Sequence, residues 1–278
     1  MRARTKVIIA AAAFAVAALT LVGATGERPQ SAATPRDEQR DARGRLVLSV
    51  KEGKHWKHSF RVMLVAKVVT EPQMAFWLED TAGDFVATVF VTHRAATDDW
   101  RASPGEKAGR IRRPSALPVW RHGHKAGGVQ PASTCTACHA RRRMEDKSTA
   151  GVAELDAITG ATPPSGFTRE WVLPAGLKPG VYVVKAEINQ SRDFTSVFRS
   201  DLPESDPNAS GGKMGSGQPS VVWQGTITLG AGPTLAVLKP AGHGHPAGAD
   251  GEVPPDLSAL TTALDIVESI RVSYVPEN

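Results

Sequence analysis

Short runs of β-branched and aromatic residues, separated by turns rich in Gly, Pro, Asp and Ser, recur along most of the chain. Such runs predict strands, and they fall at residues 45–50, 59–69, 74–79, 85–91, 167–172, 181–188, 221–229 and 266–274. A helical pattern is present at residues 256–264, where Leu257, Leu260 and Leu264 share a face. Many short strands with so little helix predict an all-β fold, an immunoglobulin-like β-sandwich with long functional loops and a short C-terminal helix.

The longest interval without a regular pattern is at residues 95–166. A loop of that length in a compact domain usually carries function. Two further loops are predicted at residues 200–220 and 230–255, because both are rich in Gly, Pro and other turn-forming residues. Before the long interval, the strands at residues 74–79 and 85–91 are joined by an Asp- and Gly-rich turn, which predicts a hairpin.

The first 24 residues have the layout of a Sec-type bacterial secretory signal. Basic side chains occupy three of the first six positions, an apolar run follows at residues 7–22, and the small residues Gly23 and Ala24 come next. We therefore expect a periplasmic or secreted protein, with cleavage after Ala24. If the signal is not cut, the apolar run is near the lower limit for a membrane span and would tether the protein to the membrane.

The remainder of the chain is predicted to be a flexible tether at residues 25–44 and one β-sandwich domain at residues 45–275, because the first segment is polar and aperiodic. The chain carries 33 Lys and Arg against 28 Asp and Glu, and three of the basic residues lie in the signal. The small excess that remains does not favour a nucleic-acid partner.

Both cysteines of the chain lie in the run Cys135-Thr136-Ala137-Cys138-His139. This is the attachment pattern of a c-type haem, in which two thiols add to the haem vinyl groups and the adjacent imidazole binds the iron. It predicts haem c with thioether bonds at Cys135 and Cys138 and with His139 as the proximal ligand. Three other interpretations stay open: a disulfide formed in an oxidising compartment, a redox-active dithiol, and a zinc site completed by further ligands.

His122 and His124 are the candidates for the distal iron ligand. They lie on the same long interval as the cysteine motif, in Gly-rich surroundings that we expect to be flexible. The same pair could instead bind a surface metal ion. More remote candidates, which need the fold to bring them near, are His93, His243 and His245.

Filled axial positions on a haem iron favour electron transfer over oxygen activation. No Ser-His-Asp order, paired-carboxylate motif or phosphate-binding loop in the sequence argues for hydrolysis or group transfer. The motif therefore predicts a non-enzymatic electron carrier with a membrane-bound or periplasmic redox partner. Two alternatives are a cofactor-free binding or assembly module with a Cys135–Cys138 disulfide, and a periplasmic metal-binding protein that uses the His-rich loops.

Five segments occur in an order that carries a family resemblance: residues 74–91, Leu117-Pro118-Val119-Trp120, residues 156–162, Gly180-Val181-Tyr182 and Leu260-Thr261-Thr262-Ala263. In this order they resemble the predicted periplasmic proteins known as domain of unknown function 2271. The resemblance covers about residues 45–275, and it implies location and fold more than activity. The cysteine motif lies in an insertion relative to that family, at about residues 121–155.

The run Asp156-Ala157-Ile158-Thr159-Gly160-Ala161-Thr162 resembles the Asp-x-x-Ser/Thr-Gly-Ala-Thr signature of covalently flavinylated bacterial proteins. The resemblance implies that a transferase joins the phosphate of FMN to the hydroxyl of Thr162. Gly160 and Ala161 are small, which suits the approach of a bulky donor. Pro163 and Pro164 depart from the signature, which usually continues with another hydroxyl residue. The alternative is a tight loop in which Asp156 caps backbone N–H groups.

Overall fold

The computed structural model of the chain describes residues 41–62, 66–97, 100, 111–126, 158–160 and 162–277. These residues belong to one compact unit, Gln39–Asn278. The predicted signal, residues 25–40 of the predicted tether and residues 127–157 lie outside the described residues, and so does the cysteine motif. No helix in the described ranges is both long enough and apolar enough to span a bilayer.

The described residues form eleven strands and two α-helices. The strands are β1 (Gly44–Glu52), β2 (His58–Val62), β3 (Ala66–Thr70), β4 (Gln73–Glu79), β5 (Phe85–Thr92), β6 (Ile158–Gly160), β7 (Phe167–Val172), β8 (Gly180–Asn189), β9 (Val221–Leu229), β10 (Thr234–His243) and β11 (Val267–Pro276). The helices are α1 (His93–Thr97) and α2 (Pro118–Ala126), and two short 3-10 helices span Gly212–Met214 and Thr262–Asp265.

Nine of these strands form one sheet in the order β6-β5-β4-β8-β9-β10-β11-β1-β7. Neighbours are antiparallel except β5 and β6, which are parallel. The sheet folds over on itself: the ring of Phe167 in β7 lies 6.5 Å from that of Phe76 in β4 and 5.6 Å from that of Phe90 in β5. The predicted all-β class is confirmed, and the two layers of the near-barrel sandwich are parts of one sheet.

The main core lies between these two layers. Alternate residues of each strand point into it, as Leu46, Leu48 and Val50 do in β1. Facing residues come from strands at the far side of the sheet, such as Phe76 in β4 and Ile188 in β8. Removing apolar surface of this kind from water is the main stabilising contribution to the fold.

A second, smaller core covers the opposite face of β4, β5 and β9. There α1 and α2 place Ala95, Ala96, Val119 and Trp120 against the sheet residues Ala75, Trp77, Val91 and Val222. As a result, all seven residues of β4 are buried. A strand buried on both faces reads as a continuous apolar run, and this is why Met74-Ala75-Phe76-Trp77-Leu78 shows no alternation.

The prediction of one strand at residues 59–69 is wrong. The structure places a hairpin there, with β2 and β3 paired to each other and with Phe60 opposite Val68. The alternation of polar and apolar residues is real on each strand. The residues between the two strands include no Gly, Pro, Asn or Asp, so the sequence contains no turn signal there.

The prediction of a loop over the whole of residues 230–255 is also wrong, because β10 occupies its first half. This strand pairs with β11 through residues 234–238 and with β9 through residues 239–243, and its register shifts between Pro240 and Gly242. The Pro and Gly that favoured a loop mark a bulge within a strand.

The predicted C-terminal helix at residues 256–264 is reduced to isolated turns and a 3-10 helix at Thr262–Asp265. Leu260 N–H donates to the carbonyl of Leu257, and Leu264 N–H donates to that of Thr261, both three residues back. The hydroxyl of Thr262 is bonded to Asp193. This side-chain bond to the body of the domain competes with a regular helix.

Candidate functional site

The expectation that residues 95–166 form one irregular loop is wrong where the structure describes them. Helix α1 starts directly after β5, α2 spans Pro118–Ala126, and β6 spans Ile158–Gly160. His122 and His124 therefore lie on a helix and not in flexible chain. Pro118 stands at the first helical position, where its fixed φ angle and missing N–H cost nothing.

The N-terminus of α2 is held by a buried carboxylate. Glu187 in β8 has no exposed surface, and its oxygens accept hydrogen bonds from the backbone N–H groups of Val119 at 3.2 Å and Trp120 at 2.8 Å. The hydroxyl of Ser220 donates a third bond to the same carboxylate. Free N–H groups at a helix start favour a negative charge, so Glu187 fixes where α2 begins on the sheet.

Burial raises the pKa of Glu187 to about 7, against a usual value of 4.5. The hydrogen bonds from Ser220, Trp120 and Val119 act in the opposite direction, because they stabilise the ionised form. Desolvation is the larger effect. The carboxyl group that holds α2 therefore changes its charge close to neutral pH.

The last turns of α2 form an aromatic cluster with β5. The ring of His124 lies 5.1 Å from that of Trp120 and 5.6 Å from that of Phe85, the latter edge to face. The indole N–H of Trp120 donates to the hydroxyl of Thr88 at 3.0 Å. These contacts with two residues of β5 fix α2 on this strand.

His124 is only 3 % exposed, and burial lowers the pKa of its imidazole. Burial therefore favours the neutral imidazole, which is the form that binds a metal. We find no hydrogen bond that joins its ring nitrogens to any other residue the structure describes. The side chain has the chemical state that a distal iron ligand requires.

His122 faces a different neighbour from His124. Its Nε2 atom lies 3.5 Å from the carbonyl oxygen of Gly248, and its Cβ atom is close to Gly251. Two positions along an α-helix correspond to a rotation of about 200°, which separates the two imidazoles. The ring of His124 packs against Trp120 and Phe85, while His122 lies beside Gly248.

The remaining candidate histidines lie on α1 and on the segment around Gly244, which packs against Pro118 of α2. His93 begins α1, His243 ends β10 with Nδ1 2.8 Å from the carbonyl oxygen of Gly244, and His245 accepts a bond from the N–H of Ala247. Within the described ranges, no three His, Cys, Asp or Glu side chains come close enough to hold a metal ion.

The two described elements that flank residues 127–157, which include the cysteine motif, both contact the same strand. Residue 127 follows α2, whose Trp120 and His124 contact Thr88 and Phe85 of β5. Residue 157 precedes β6, which pairs with β5 from Phe90 to Thr92. Cys135, Cys138, His139 and Asp156 themselves lie outside the described residues.

Thr162 follows closely after β6 and is half-buried. Its hydroxyl oxygen accepts a hydrogen bond from Gln73 Nε2 at 3.2 Å, and Gln73 Oε1 accepts one from the hydroxyl of Thr92 at 2.9 Å. The carbonyl of the next residue, Pro163, accepts a bond from the indole N–H of Trp56 at 3.2 Å. This chain of polar contacts holds Thr162 at the edge of the sheet.

Sequence reasoning missed two side chains that hold the site in place. Glu187 holds the N-terminus of α2, and Gln73 holds the hydroxyl of Thr162. Each is a polar residue beside apolar strand residues: Glu187 lies next to Ala186 and Ile188, and Gln73 precedes Met74. A charged side chain directly between two apolar strand residues is the signal that could have found Glu187, because a buried charge needs partners.

No model of a known protein family matches the chain, and neither the curated proteins nor the solved structures include a significant match. The resemblance to domain of unknown function 2271 therefore stays a prediction.

Proposed function

We propose that the protein is an extracytoplasmic electron-transfer protein that carries one covalent c-type haem on its all-β scaffold. The observation that carries the proposal is the sequence Cys-x-x-Cys-His at residues 135–139, which contains both cysteines of the chain. In this proposal Cys135 and Cys138 form the thioether bonds, and His139 is the proximal iron ligand. The haem supplies the one-electron chemistry.

The scaffold supports this proposal in two ways. Helix α2 and strand β6, which flank the motif-bearing segment, are both fixed on β5. The flanking helix also carries His124, whose neutral imidazole suits a second axial bond. We assign the distal position to His124 in preference to His122, because the latter faces the loop that contains Gly248.

The proposal is tested by the absorption spectrum of the whole protein exported from bacteria that possess haem-attachment machinery. We expect a Soret band that survives acid–acetone extraction, since thioether bonds resist that treatment. The double substitution Cys135→Ala/Cys138→Ala should remove it, and a matched Ser133→Ala/Ser148→Ala protein should retain it. A colourless wild-type protein without free thiols would overturn the proposal and favour the binding module with a Cys135–Cys138 disulfide.

A second candidate function, a covalent flavin on Thr162, draws support from one specific observation. Part of the flavinylation-like run forms the edge strand β6, and Gln73 holds the hydroxyl of Thr162 in a fixed orientation just beyond it. The transferase would form a phosphoester between this oxygen and the FMN phosphate of a flavin dinucleotide. The pyrophosphate bond of the donor breaks, the nucleoside monophosphate leaves, and the hydroxyl proton is lost. The flavin would then add a second redox centre to the same protein.

The flavin candidate is tested by co-expression with a flavin transferase and by ultraviolet fluorescence of the denatured band in a gel. Fluorescence is expected for the wild-type protein and should be lost in Thr162→Ala. The substitution Thr168→Ala, at an exposed position of β7 outside the signature, is the matched control and should leave the signal unchanged. Absence of fluorescence in the wild-type protein, with the transferase active on a known substrate, contradicts this candidate without affecting the haem proposal.

A further inference from the structure

Strands β2 and β3 form a hairpin that is separate from the nine-stranded sheet. Within it, Ser59 lies opposite Val69, Phe60 opposite Val68 and Arg61 opposite Lys67. We call these two strands, together with the preceding Lys57, the basic hairpin. Its chemistry differs from that of the rest of the domain.

Positive charge is concentrated around the basic hairpin. Residues 53–70 contain four Lys or Arg and two His but no Asp or Glu, namely Lys54, His55, Lys57, His58, Arg61 and Lys67. The chain outside the predicted signal is otherwise nearly balanced in charge. Acidic side chains occur at the base, where Glu52 ends β1 and Glu71 follows β3.

Two cations face each other across the hairpin without a counter-ion. Arg61 and Lys67 are directly opposite in the register, and both are exposed. Neither forms an ion pair with another residue in the described part of the chain. Like charges at opposed positions of an antiparallel pair are destabilising. An anionic surface laid against this face would relieve the repulsion.

An apolar side chain is exposed beside these cations. Val69 lies on the same face of the hairpin as Arg61 and Lys67, and it is 51 % exposed. Two cations combined with an exposed apolar side chain on one small element suit the interface of an anionic bilayer, where headgroup phosphates pair with Lys and Arg and the apolar group leaves water.

The base of the hairpin is fixed on the body of the domain. Gln190 Nε2 donates to the carbonyl oxygen of Trp56 at 2.9 Å and to that of Thr70 at 3.4 Å. The guanidinium of Arg192 lies 4.3 Å from the centre of the Phe60 ring, a cation–π distance. The inner face of the hairpin is thereby occupied, and the face with Arg61, Lys67 and Val69 is left to solvent.

We propose that the basic hairpin docks the protein on the surface of an anionic phospholipid membrane. An acidic protein partner would account for the charges but not for the exposed Val69 on the same face, so the lipid surface is the occupant that both observations favour. The inference is independent of any cofactor. For an electron carrier, docking of this kind would confine the search for a membrane-bound redox partner to two dimensions.

The test is co-sedimentation of the exported full chain with vesicles. One set contains phosphatidylglycerol mixed with phosphatidylcholine, the other contains phosphatidylcholine alone, and the quantity measured is the ratio of the two affinities. We expect tighter binding to the anionic vesicles, weakened at high salt. Reversing two charges with Arg61→Glu/Lys67→Glu should lower the affinity for anionic vesicles at least about ten-fold.

The matched control is Lys239→Glu/Arg271→Glu, which changes the net charge equally at exposed positions of β10 and β11. It should bind almost as the wild-type protein does, and thermal melting should show that both variants are folded. Equal affinity for the two vesicle types overturns the proposal, and so does an equal loss in the control. Full competition by inorganic phosphate, or binding to polyglutamate in place of anionic vesicles, would also overturn it, because the occupant would then be a free anion or an acidic chain.

Discussion

At the scale of single residues, Glu187 links the protonation state of the domain to its stability. The pKa in the folded protein, about 7, lies above the usual value of 4.5. Between these two values the folded state holds a proton that the unfolded state has lost. The stabilising contribution is therefore complete below about pH 4.5 and is lost as the pH rises through about 7.

We expect the free energy of unfolding to fall by about 3 kcal/mol between pH 4.5 and pH 7 because of this one group. Replacement by Gln, which does not titrate, should flatten this part of the stability curve. Urea unfolding at several pH values measures how the free energy of unfolding changes with pH. Glu268→Gln, at an exposed position beside Lys51, is the control and should leave the slope unchanged. An unaltered slope in Glu187→Gln would contradict the assignment.

The residue scale is also where sequence reasoning was weakest. Cys135, Cys138 and His139 are conspicuous because chemistry requires that spacing. Glu187, by contrast, is one acidic residue in a strand, and its importance arises from Val119, Trp120 and Ser220, which are distant in the chain. Only the folded structure brings such partners next to Glu187, so no local sequence pattern indicates them.

At the scale of elements, α2 is the part of the described chain that leads into the cysteine motif. Its sequence, with two His, a central Gly and a Pro start, gave little sign of a helix. The helix is stabilised by packing of Val119 and Trp120 on the sheet and by the carboxylate at its N-terminus, since helix propensity alone is a weak force. The same reason explains why His122 and His124 were expected in flexible chain.

This helix makes a prediction about the distal iron ligand. His124→Phe keeps an aromatic ring between Trp120 and Phe85 but removes both ring nitrogens. If His124 is the distal ligand, the haem-loaded variant should lose the low-spin absorption spectrum of the wild-type protein and bind carbon monoxide in the reduced state. His122→Gln is the control and should retain the wild-type spectrum. A low-spin spectrum in His124→Phe, or its loss in His122→Gln, would contradict the assignment.

At the scale of the whole molecule, closure of the sheet depends on contacts between strands far apart in the sheet order. Phe167 in β7 is the clearest case, because its ring touches those of Trp56, Phe76 and Phe90. The alternation of apolar residues predicted the strands and the all-β class. It could not predict that a single sheet supplies both layers, because the order of strands is set by long-range pairing.

We expect Phe167→Ala to lower the free energy of unfolding by about 2–4 kcal/mol, through lost aromatic packing and a cavity at the point where the layers meet. Val172→Ala, in the same strand but with 73 % of its side chain exposed, should change it by less than about 0.5 kcal/mol. Chemical denaturation measures both. Similar effects of the two substitutions would show that the contact between the two ends of the sheet contributes little.

The two described elements that flank residues 127–157, α2 and β6, are both fixed on β5, and this has an engineering consequence. A linker between two elements that are held on one strand can change in length at small cost to the domain, since each doubling of a flexible linker adds only about 0.6 kcal/mol of closure entropy. The domain is therefore a natural acceptor for grafts at this point. A short glycine–serine bridge, or a foreign peptide of similar span, could replace the native stretch and leave a folded, cofactor-free frame.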